Sequence, residues 1–262
     1  MRPARQNVRV GVIGAGAIGT VVADALRTGR LAHVTLGGTV AGRKARRDDF
    51  QLLLETCDVI VEAASQAAVA EYGPAIKDAG IDLVVVSVGA LVDDALLGKL
   101  SSSSGGRLFI STGACGGIEL LRAAHLFRPL EEVRLQTTKP SAALVRDWMK
   151  PEMRQSLIAG KEELTVFAGS AREAVKLFPE TANIAALLSL ATVGFDATAV
   201  AIRADPARER ALHEVSARGE AGSYSFTIEN AISQQNVRTS AVTAYSVLRG
   251  LSDMTTAFVP AW

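Results

Sequence analysis

Val8-Arg-Val-Gly-Val-Ile-Gly14-Ala-Gly16-Ala-Ile-Gly19 is the stretch that decides the fold of this chain. A short apolar strand is predicted over 8–13, and a helical pattern follows the last glycine. Gly-x-Gly-x-x-Gly between a strand and a helix is typical of a dinucleotide site, because glycines allow a tight turn and close approach of a diphosphate to the helix N-terminus. A merely structural turn is the alternative. The residues predicted to bind the cofactor here are Gly14, Gly16, Ala17, Ile18 and Gly19.

The acid that usually binds the adenosine ribose about 20 residues further on is missing. Gly37 and Gly38, directly after a strand predicted over 33–36, take its place, and a basic cluster at 43–47 follows. Arg43 of this cluster is a candidate to bind a 2′-phosphate, the alternative being a solvated loop. Without an acid, nothing at this position repels a 2′-phosphate, so we expect either NAD or NADP as cofactor.

Composition excludes several other classes of protein. The chain has 262 residues, 48% hydrophobic and 21% charged, with a net charge of +1, which does not favour a nucleic-acid partner. No apolar run approaches the roughly 18–20 residues of a membrane span, so no membrane partner is expected. The two cysteines form no CxxC motif, which argues against a structural metal site and fits a cytoplasmic location.

Strand and helix patterns alternate up to about residue 113, which predicts an α/β doubly wound sheet. Ser65 follows the third predicted strand, where a parallel sheet binds ligands, although a purely structural turn is the alternative. The predicted division is a dinucleotide-binding domain over 1–113 and an α+β domain over 114–236 with a mostly antiparallel sheet. A helix within about 237–262 is expected to pack back on the first domain, and the weakly patterned segment 141–163 is predicted to be a loop.

Two residues of the second domain suggest different chemistry. His213 lies in a predicted strand and is a candidate general acid/base near neutral pH. Cys115 lies in a glycine-rich turn before a helix, where a lowered thiol pKa would make it the nucleophile of an aldehyde dehydrogenase. A small residue in a tight turn is the alternative for Cys115.

The chain resembles the L-aspartate dehydrogenase family over nearly all of its length. The order and spacing of several motifs carry this resemblance: Ser111-Thr-Gly-Ala-Cys-Gly-Gly117, Thr137-Thr-Lys-Pro140, Val166-Phe-Ala-Gly-Ser-Ala-Arg-Glu-Ala174, Phe178-Pro-Glu-Thr-Ala-Asn-Ile-Ala-Ala186, Ala204-Asp-Pro206, His213-Glu214 and Asn236-Val-Arg-Thr-Ser240.

The resemblance implies a Rossmann domain, a second domain whose sheet contributes to a homodimer, and oxidation of L-aspartate to iminosuccinate for NAD biosynthesis. It implies that His213 is catalytic and that Ala114 and Asn183 bind the nicotinamide end of the cofactor. It also places Lys139 near the substrate.

The chain departs from the family pattern at three positions: Thr138 replaces a basic residue, Val237 a proline, and Cys115 a small aliphatic residue. The first departure concerns the substrate carboxylates, for which the candidate ligands are Lys139, Thr138, Thr239 and Ser240. Besides aspartate oxidation, two hypotheses stay open: an aldehyde dehydrogenase that uses Cys115, and a dinucleotide sensor without activity.

Overall fold

The computed structural model describes residues 7–41, 47–179, 182–233, 235–236 and 239–256. Internal contacts divide the chain into two units, one comprising Met1–Gly113 with Ala241–Trp262 and the other Ala114–Ser240. Among the described residues, no helix is both long enough and apolar enough to cross a membrane.

The first unit is built on a five-stranded parallel sheet in the order β2-β1-β3-β4-β5, which confirms the predicted α/β class. Helices connect the strands, as a parallel sheet requires. The elements are β1 (Val8–Ile13), α1 (Ala17–Arg27), β2 (Val34–Val40), α2 (Arg47–Thr56), β3 (Val59–Glu62), α3 (Gln66–Asp78), β4 (Asp82–Val85), a 3₁₀ helix (Val88–Val92), α4 (Asp94–Ser101) and β5 (Leu108–Ile110).

The strand order reverses direction between β1 and β3, because β1 pairs with β2 on one side and with β3 on the other. Ile13 and Glu62 are the paired last residues of β1 and β3. In an open parallel sheet, ligands bind at the carboxyl ends of the strands at this reversal. The glycine loop follows Ile13, so the sheet topology places it at the expected ligand crevice.

Strand β2 is longer than the sequence indicated. It was predicted to end at residue 36, but it continues through Gly37 and Gly38 to Val40. A Cβ at Gly37 would lie 2.5 Å from Cys57 Sγ, and one at Gly38 would lie 2.8 Å from a methyl of Leu53. The two glycines therefore let the strand pass close under α2 and its following turn, and they do not form a loop after the strand.

The second unit contains a five-stranded mixed sheet in the order β10-β9-β6-β8-β7. Strands β6 and β8 pair in parallel, and the other neighbours pair antiparallel. The elements are α5 (Ile118–Phe127), β6 (Glu132–Lys139), a 3₁₀ helix (Ser141–Leu144), α6 (Pro151–Ala159), β7 (Leu164–Ser170), α7 (Ala171–Leu177), α8 (Asn183–Ala191), β8 (Thr198–Ala204), β9 (Leu212–Gly219) and β10 (Gly222–Glu229).

The prediction that 141–163 is a loop was wrong. This segment contains the 3₁₀ helix and α6, which begins at Pro151, ends at Ala159 and is capped by Gly160 in the left-handed conformation. Leu144 and Leu157 are almost fully buried. The helix is short and buries Leu157 alone, so its hydrophobic periodicity was too weak to be recognised in the sequence.

The final helix, α9 (Val242–Asp253), belongs to the first unit. It packs against α1, and Val247, Leu248 and Leu251 join Val22 and Leu26 in one buried apolar cluster. The C-terminal helix thus completes the core on one face of the parallel sheet.

Candidate active site

Two positions of the glycine loop require glycine, because a side chain there would overlap the neighbouring main chain. Gly14 has φ +121°, and a Cβ there would lie 2.5 Å from the Ala63 carbonyl oxygen. A Cβ at Gly19 would overlap the Gly14 carbonyl oxygen. Gly16, in contrast, is exposed and has nothing within 4 Å of the position of a Cβ, so its main chain faces open space.

The N-terminus of α1 suits an anionic group. Gly16 is the N-cap and supplies no side-chain hydrogen bond, so the helix's own residues do not occupy the first-turn amides. The first turn, all of it described, has no acidic residue to repel a phosphate. The open Gly16 and these amides therefore fit the diphosphate of a dinucleotide.

Strand β2 continues past Gly37 and Gly38, the positions at which the sequence placed the missing acid, and ends at Val40. Gly14 N donates to the Val40 carbonyl oxygen at 2.8 Å, so the end of β2 is level with the glycine loop. The exposed residue that follows is Ala41, and it carries no acid. Gly37 and Gly38 lie inside the strand. Arg43 lies outside the described residues.

Ser65 lies at the carboxyl end of β3, where its hydroxyl caps α3. Its Oγ accepts from Ala68 N at 3.2 Å, and its main-chain amide donates to Glu62 Oε1 at 2.9 Å. The hydroxyl keeps a proton that it can donate. Ser65 thus has a structural role in its turn as well as the position that a cofactor ligand would need.

Glu62 was missed by sequence reasoning. It is 1% exposed at the end of β3, and its carboxylate accepts from the main-chain amides of Ala64, Ser65 and Ser87 and from the Ser87 hydroxyl. Burial raises the pKa of this carboxyl, and the four hydrogen bonds oppose the rise. An acid that closes the apolar strand Val59-Ile-Val was the signal available in the sequence.

In the second unit, His213 and Thr137 face each other across paired strands β9 and β6. His213 Nδ1 lies 3.0 Å from Thr137 Oγ1, and the two residues are 7% and 4% exposed. Lys139 is two residues further along β6 and is also buried. Because side chains alternate along a strand, Lys139 projects to the same face as Thr137 and His213.

The surroundings of His213 favour its neutral form. Burial lowers the pKa of the imidazole, and the positive charge of Lys139 lowers it further, to about 4. The imidazole is therefore uncharged at neutral pH and has a lone pair that can accept a proton.

Thr138 does not join this group. Alternation along β6 directs it to the opposite face of the sheet, where the neighbouring Gln136 bonds Glu214 at 2.8 Å. The sequence grouped Thr138 with Lys139 because the two are adjacent, but adjacent strand residues point in opposite directions. Lys139 is the one of the two that lies on the His213 face.

The turn that contains Ala114 is held by the β9–β10 hairpin. Asn230, just after β10, donates from Nδ2 to the Ala114 carbonyl oxygen at 3.1 Å. Gly117, at φ +78°, lies so close to the Phe226 ring that a side chain would overlap it. The hairpin that carries His213 therefore also fixes the Ala114 main chain. Asn230 was not recognised in the sequence, because its partner is 116 residues away.

The remaining predicted residues of this unit are Asn183, Thr239 and Ser240. Asn183 is the partly exposed first residue of α8. Ser240 forms an isolated antiparallel bridge with Ile232, next to Thr239. The Ser240 hydroxyl oxygen is buried and has no hydrogen-bond partner among the described residues, which is unusual for a buried hydroxyl in a protein.

Cys115 is unsuited to nucleophilic catalysis. It is 9% exposed, and burial, together with the negative charge of Glu119, raises the pKa of its thiol to about 12. A thiol with this pKa is protonated at neutral pH and is a poor nucleophile. Among the described residues, no group of three or more His, Cys, Asp or Glu could hold a metal ion.

Two family models match the chain. Residues 119–254 match the model described as aspartate dehydrogenase, C-terminal, and residues 14–105 match the NAD-binding domain of homoserine dehydrogenase. The first match covers part of each unit.

Individual relatives agree with these matches. An L-aspartate dehydrogenase of Methanosarcina mazei is 33% identical, with 93% of this chain and 96% of the relative covered. L-aspartate dehydrogenase 1 of Bordetella pertussis is 38% identical, with 83% and 84% covered. The crystal structure of aspartate dehydrogenase from Thermotoga maritima is similar at a TM-score of 0.75 and 30% identity, with 96% of this chain and 98% of that chain covered.

Proposed function

This chain belongs to the L-aspartate dehydrogenase family, and we propose that it oxidises L-aspartate to iminosuccinate with His213 as its acid/base residue. Iminosuccinate hydrolyses to oxaloacetate and ammonia. The observation that carries the proposal is the buried, neutral imidazole of His213 on the same sheet face as the buried cation of Lys139. A dinucleotide sensor would need neither group.

The cofactor is NAD or NADP, which accepts a hydride from the α-carbon of the substrate when it is bound. The open main chain at Gly16 and the first turn of α1 bind its diphosphate in this proposal. Ala114 and Asn183 bind the nicotinamide end. Support for Ala114 comes from Asn230, which fixes the orientation of the Ala114 peptide group.

His213 accepts a proton in this proposal, either from the substrate amine or from the water that attacks the imine. The Thr137 hydroxyl engages Nδ1 and leaves Nε2 available to the substrate. In this proposal Nδ1–H donates to that hydroxyl, so the lone pair that accepts the proton lies on Nε2. General-base assistance of this kind contributes about 10²–10⁴-fold to a rate.

Lys139 binds a substrate carboxylate in this proposal, and it thereby controls His213. In the free protein its positive charge lowers the pKa of the imidazole. A carboxylate beside Lys139 offsets that charge and raises the pKa, so the imidazole becomes a stronger base when substrate is bound. Ser240, with its unsatisfied buried hydroxyl, and the adjacent Thr239 are the further candidates for the carboxylates.

An aldehyde dehydrogenase that uses Cys115 is not favoured, because the buried thiol is protonated. The deciding measurement is absorbance at 340 nm with L-aspartate and each cofactor, and in reverse with oxaloacetate, ammonia and each reduced cofactor. We expect oxidation of L-aspartate in the forward direction and reductive amination of oxaloacetate in the reverse direction. An absence of turnover in both directions would contradict the proposal.

We also propose a homodimer in the cytoplasm. One face of the second-unit sheet carries Arg134 paired with Ser216 and Ala199, and all three are exposed. An exposed sheet face of this kind is suited to a symmetric contact with a second copy. Two free cysteines are typical of a reducing compartment. Light scattering of the purified protein would test the dimer.

A further inference from the structure

One buried carboxylate ties together the turns that follow β3 and β4. Glu62 Oε1 accepts from Ala64 N at 2.7 Å, from Ser65 N at 2.9 Å and from the Ser87 hydroxyl at 3.0 Å. Glu62 Oε2 accepts from Ser87 N at 3.1 Å. The turns after β3 and β4 are thus connected through a single side chain, although Glu62 and Ser87 are 25 residues apart in sequence.

The connected turns form one wall of the crevice at the reversal of strand order. Ala63 N donates to the Ile13 carbonyl oxygen at 2.8 Å, and the Ala63 carbonyl oxygen lies against Gly14. The glycine loop therefore rests directly on the turn that Glu62 organises. A displacement of this turn would move the main chain at Gly14, and Gly14 has no free space in which to adjust.

Placing a carboxylate at this depth has a free-energy cost, since burial disfavours the charged form. Four donors converge on the carboxylate and offset this cost, and removing it would leave the partly buried amides of Ala64, Ser65 and Ser87 without their acceptor. A hydrogen-bond network at the end of β3 can affect ligand binding, because the neighbouring carboxyl ends of β1 and β3 define the crevice.

We propose that Glu62 is a positioning residue for the dinucleotide: it holds the turns at Ala63–Ser65 and Ser87 in the arrangement that the Gly14 loop needs to bind the diphosphate. The inference depends on the proposed function for one point, which is that the ligand is a nicotinamide dinucleotide. It assigns no contact between Glu62 and the substrate.

Asp82 provides a matched control within the same sheet. It is 2% exposed, accepts from Arg107 N at 2.8 Å and forms an ion pair with the Arg107 guanidinium at 2.7 Å. However, Asp82 begins β4, so it lies at the amino edge of the sheet, away from the crevice. A variant at Asp82 disturbs a buried carboxylate network of similar size without touching the turns.

The experiment compares E62Q and D82N in the full-length protein. Dissociation constants for NADH and NADPH are measured by fluorescence titration. The KM for each oxidised cofactor, the kcat for L-aspartate oxidation and a thermal-unfolding midpoint are measured for each variant. In E62Q the side-chain amide nitrogen is itself a hydrogen-bond donor. It faces at least one of the N–H or O–H groups that donate to the Glu62 carboxylate in the wild-type protein. We expect a dissociation constant about tenfold higher, the effect of one mispaired buried hydrogen bond.

The two variants should separate positioning from stability. D82N should lower the unfolding midpoint and leave both dissociation constants within about twofold of wild type. E62Q should raise the KM for the cofactor, while kcat at saturating cofactor changes little. S87A, which removes one donor and keeps the carboxylate, should show a smaller rise in the same direction and serves if E62Q does not fold.

Unchanged affinity in folded E62Q and S87A would overturn the inference, as would an equal loss of affinity in D82N. Either result would leave the proposed function intact, provided that the wild-type protein binds a dinucleotide. A wild-type protein that binds neither NADH nor NADPH would overturn both proposals.

Discussion

His213 Nδ1 lies 3.0 Å from Thr137 Oγ1, between strands that are antiparallel neighbours in the second-unit sheet. This contact joins residues 76 positions apart in sequence. It determines which ring nitrogen of His213 is engaged by the protein and which is available to a ligand.

Thr137→Val removes the hydroxyl and leaves Nδ1 of a buried imidazole without its partner. We expect kcat/KM for L-aspartate to fall about tenfold, because one buried hydrogen bond is lost and the ring orientation is no longer fixed. T137S, which keeps the hydroxyl, should retain most of the activity. Equal activity in T137V and wild type would show that the contact does not position His213.

Replacing His213 by Asn removes the proposed proton acceptor but keeps a polar side chain. We expect kcat to fall by about 10²–10⁴-fold, while the affinity for NADH is retained. H33N is the matched control: His33 is exposed in the other unit and has φ +61°, a conformation that Asn tolerates, so this variant should keep normal turnover. Normal turnover in H213N would refute the assignment.

Lys139→Met retains much of the side-chain length and removes the charge. The KM for L-aspartate should rise about tenfold or more, because a carboxylate loses its cation. The pKa of His213, about 4 in the wild-type protein, should rise, because one of the two causes that lower it is gone. Proton NMR titration of the imidazoles measures this directly, since the chain has only three histidines. An unchanged His213 pKa in K139M would show that the charge of Lys139 does not lower the pKa of the imidazole.

The buried neutral His213 also makes folding stability depend on pH. The imidazole binds a proton in the unfolded chain below about pH 6.5 but in the folded protein only below about 4. The unfolded state binds more protons between these values, so the free energy of unfolding should decrease as pH falls from about 6.5 to about 4, by about 3 kcal/mol at most from this group. Urea titrations of wild type and H213N test this, since the variant should lack that part of the pH dependence.

An acid introduced at Ala41 should select against NADP. Ala41 is exposed and follows Val40, whose carbonyl oxygen accepts from the Gly14 amide, so a carboxylate there lies level with the glycine loop. A41D should raise the ratio of the NADPH to the NADH dissociation constant about tenfold or more, through repulsion of the 2′-phosphate. G38D is the informative contrast, because its Cβ would meet Leu53 and the variant should lose stability. An unchanged ratio in A41D would mean that the adenosine end is recognised elsewhere.

Much of the first unit could be predicted because its requirements are local. Gly14 and Gly19 are dictated by close contacts within the loop and with the adjoining turn, and the apolar strands are buried on both faces. Strand β2 was the exception. Gly37 and Gly38 are common turn residues, and nothing in the sequence shows that Cys57 and Leu53 approach them from α2 and its following turn.

The second unit was less predictable, because its decisive contacts join residues that are far apart in the sequence. Lys139 and Thr138 are equivalent neighbours in the sequence, and only the placement of β6 beside β9 shows which of them shares a face with His213. The short helix α6 lacks the apolar periodicity that would have revealed it.

The sequence by itself determined the dinucleotide-binding domain, the family and the identity of the proposed acid/base residue. These follow from glycines and short motifs, each of which can be recognised from a few consecutive residues. The tertiary structure alone decided the partners: Thr137 for His213, Asn230 for Ala114, and Ser87 for Glu62. Those contacts join residues far apart in the chain, and they depend on strand order and register, which pattern and composition do not specify.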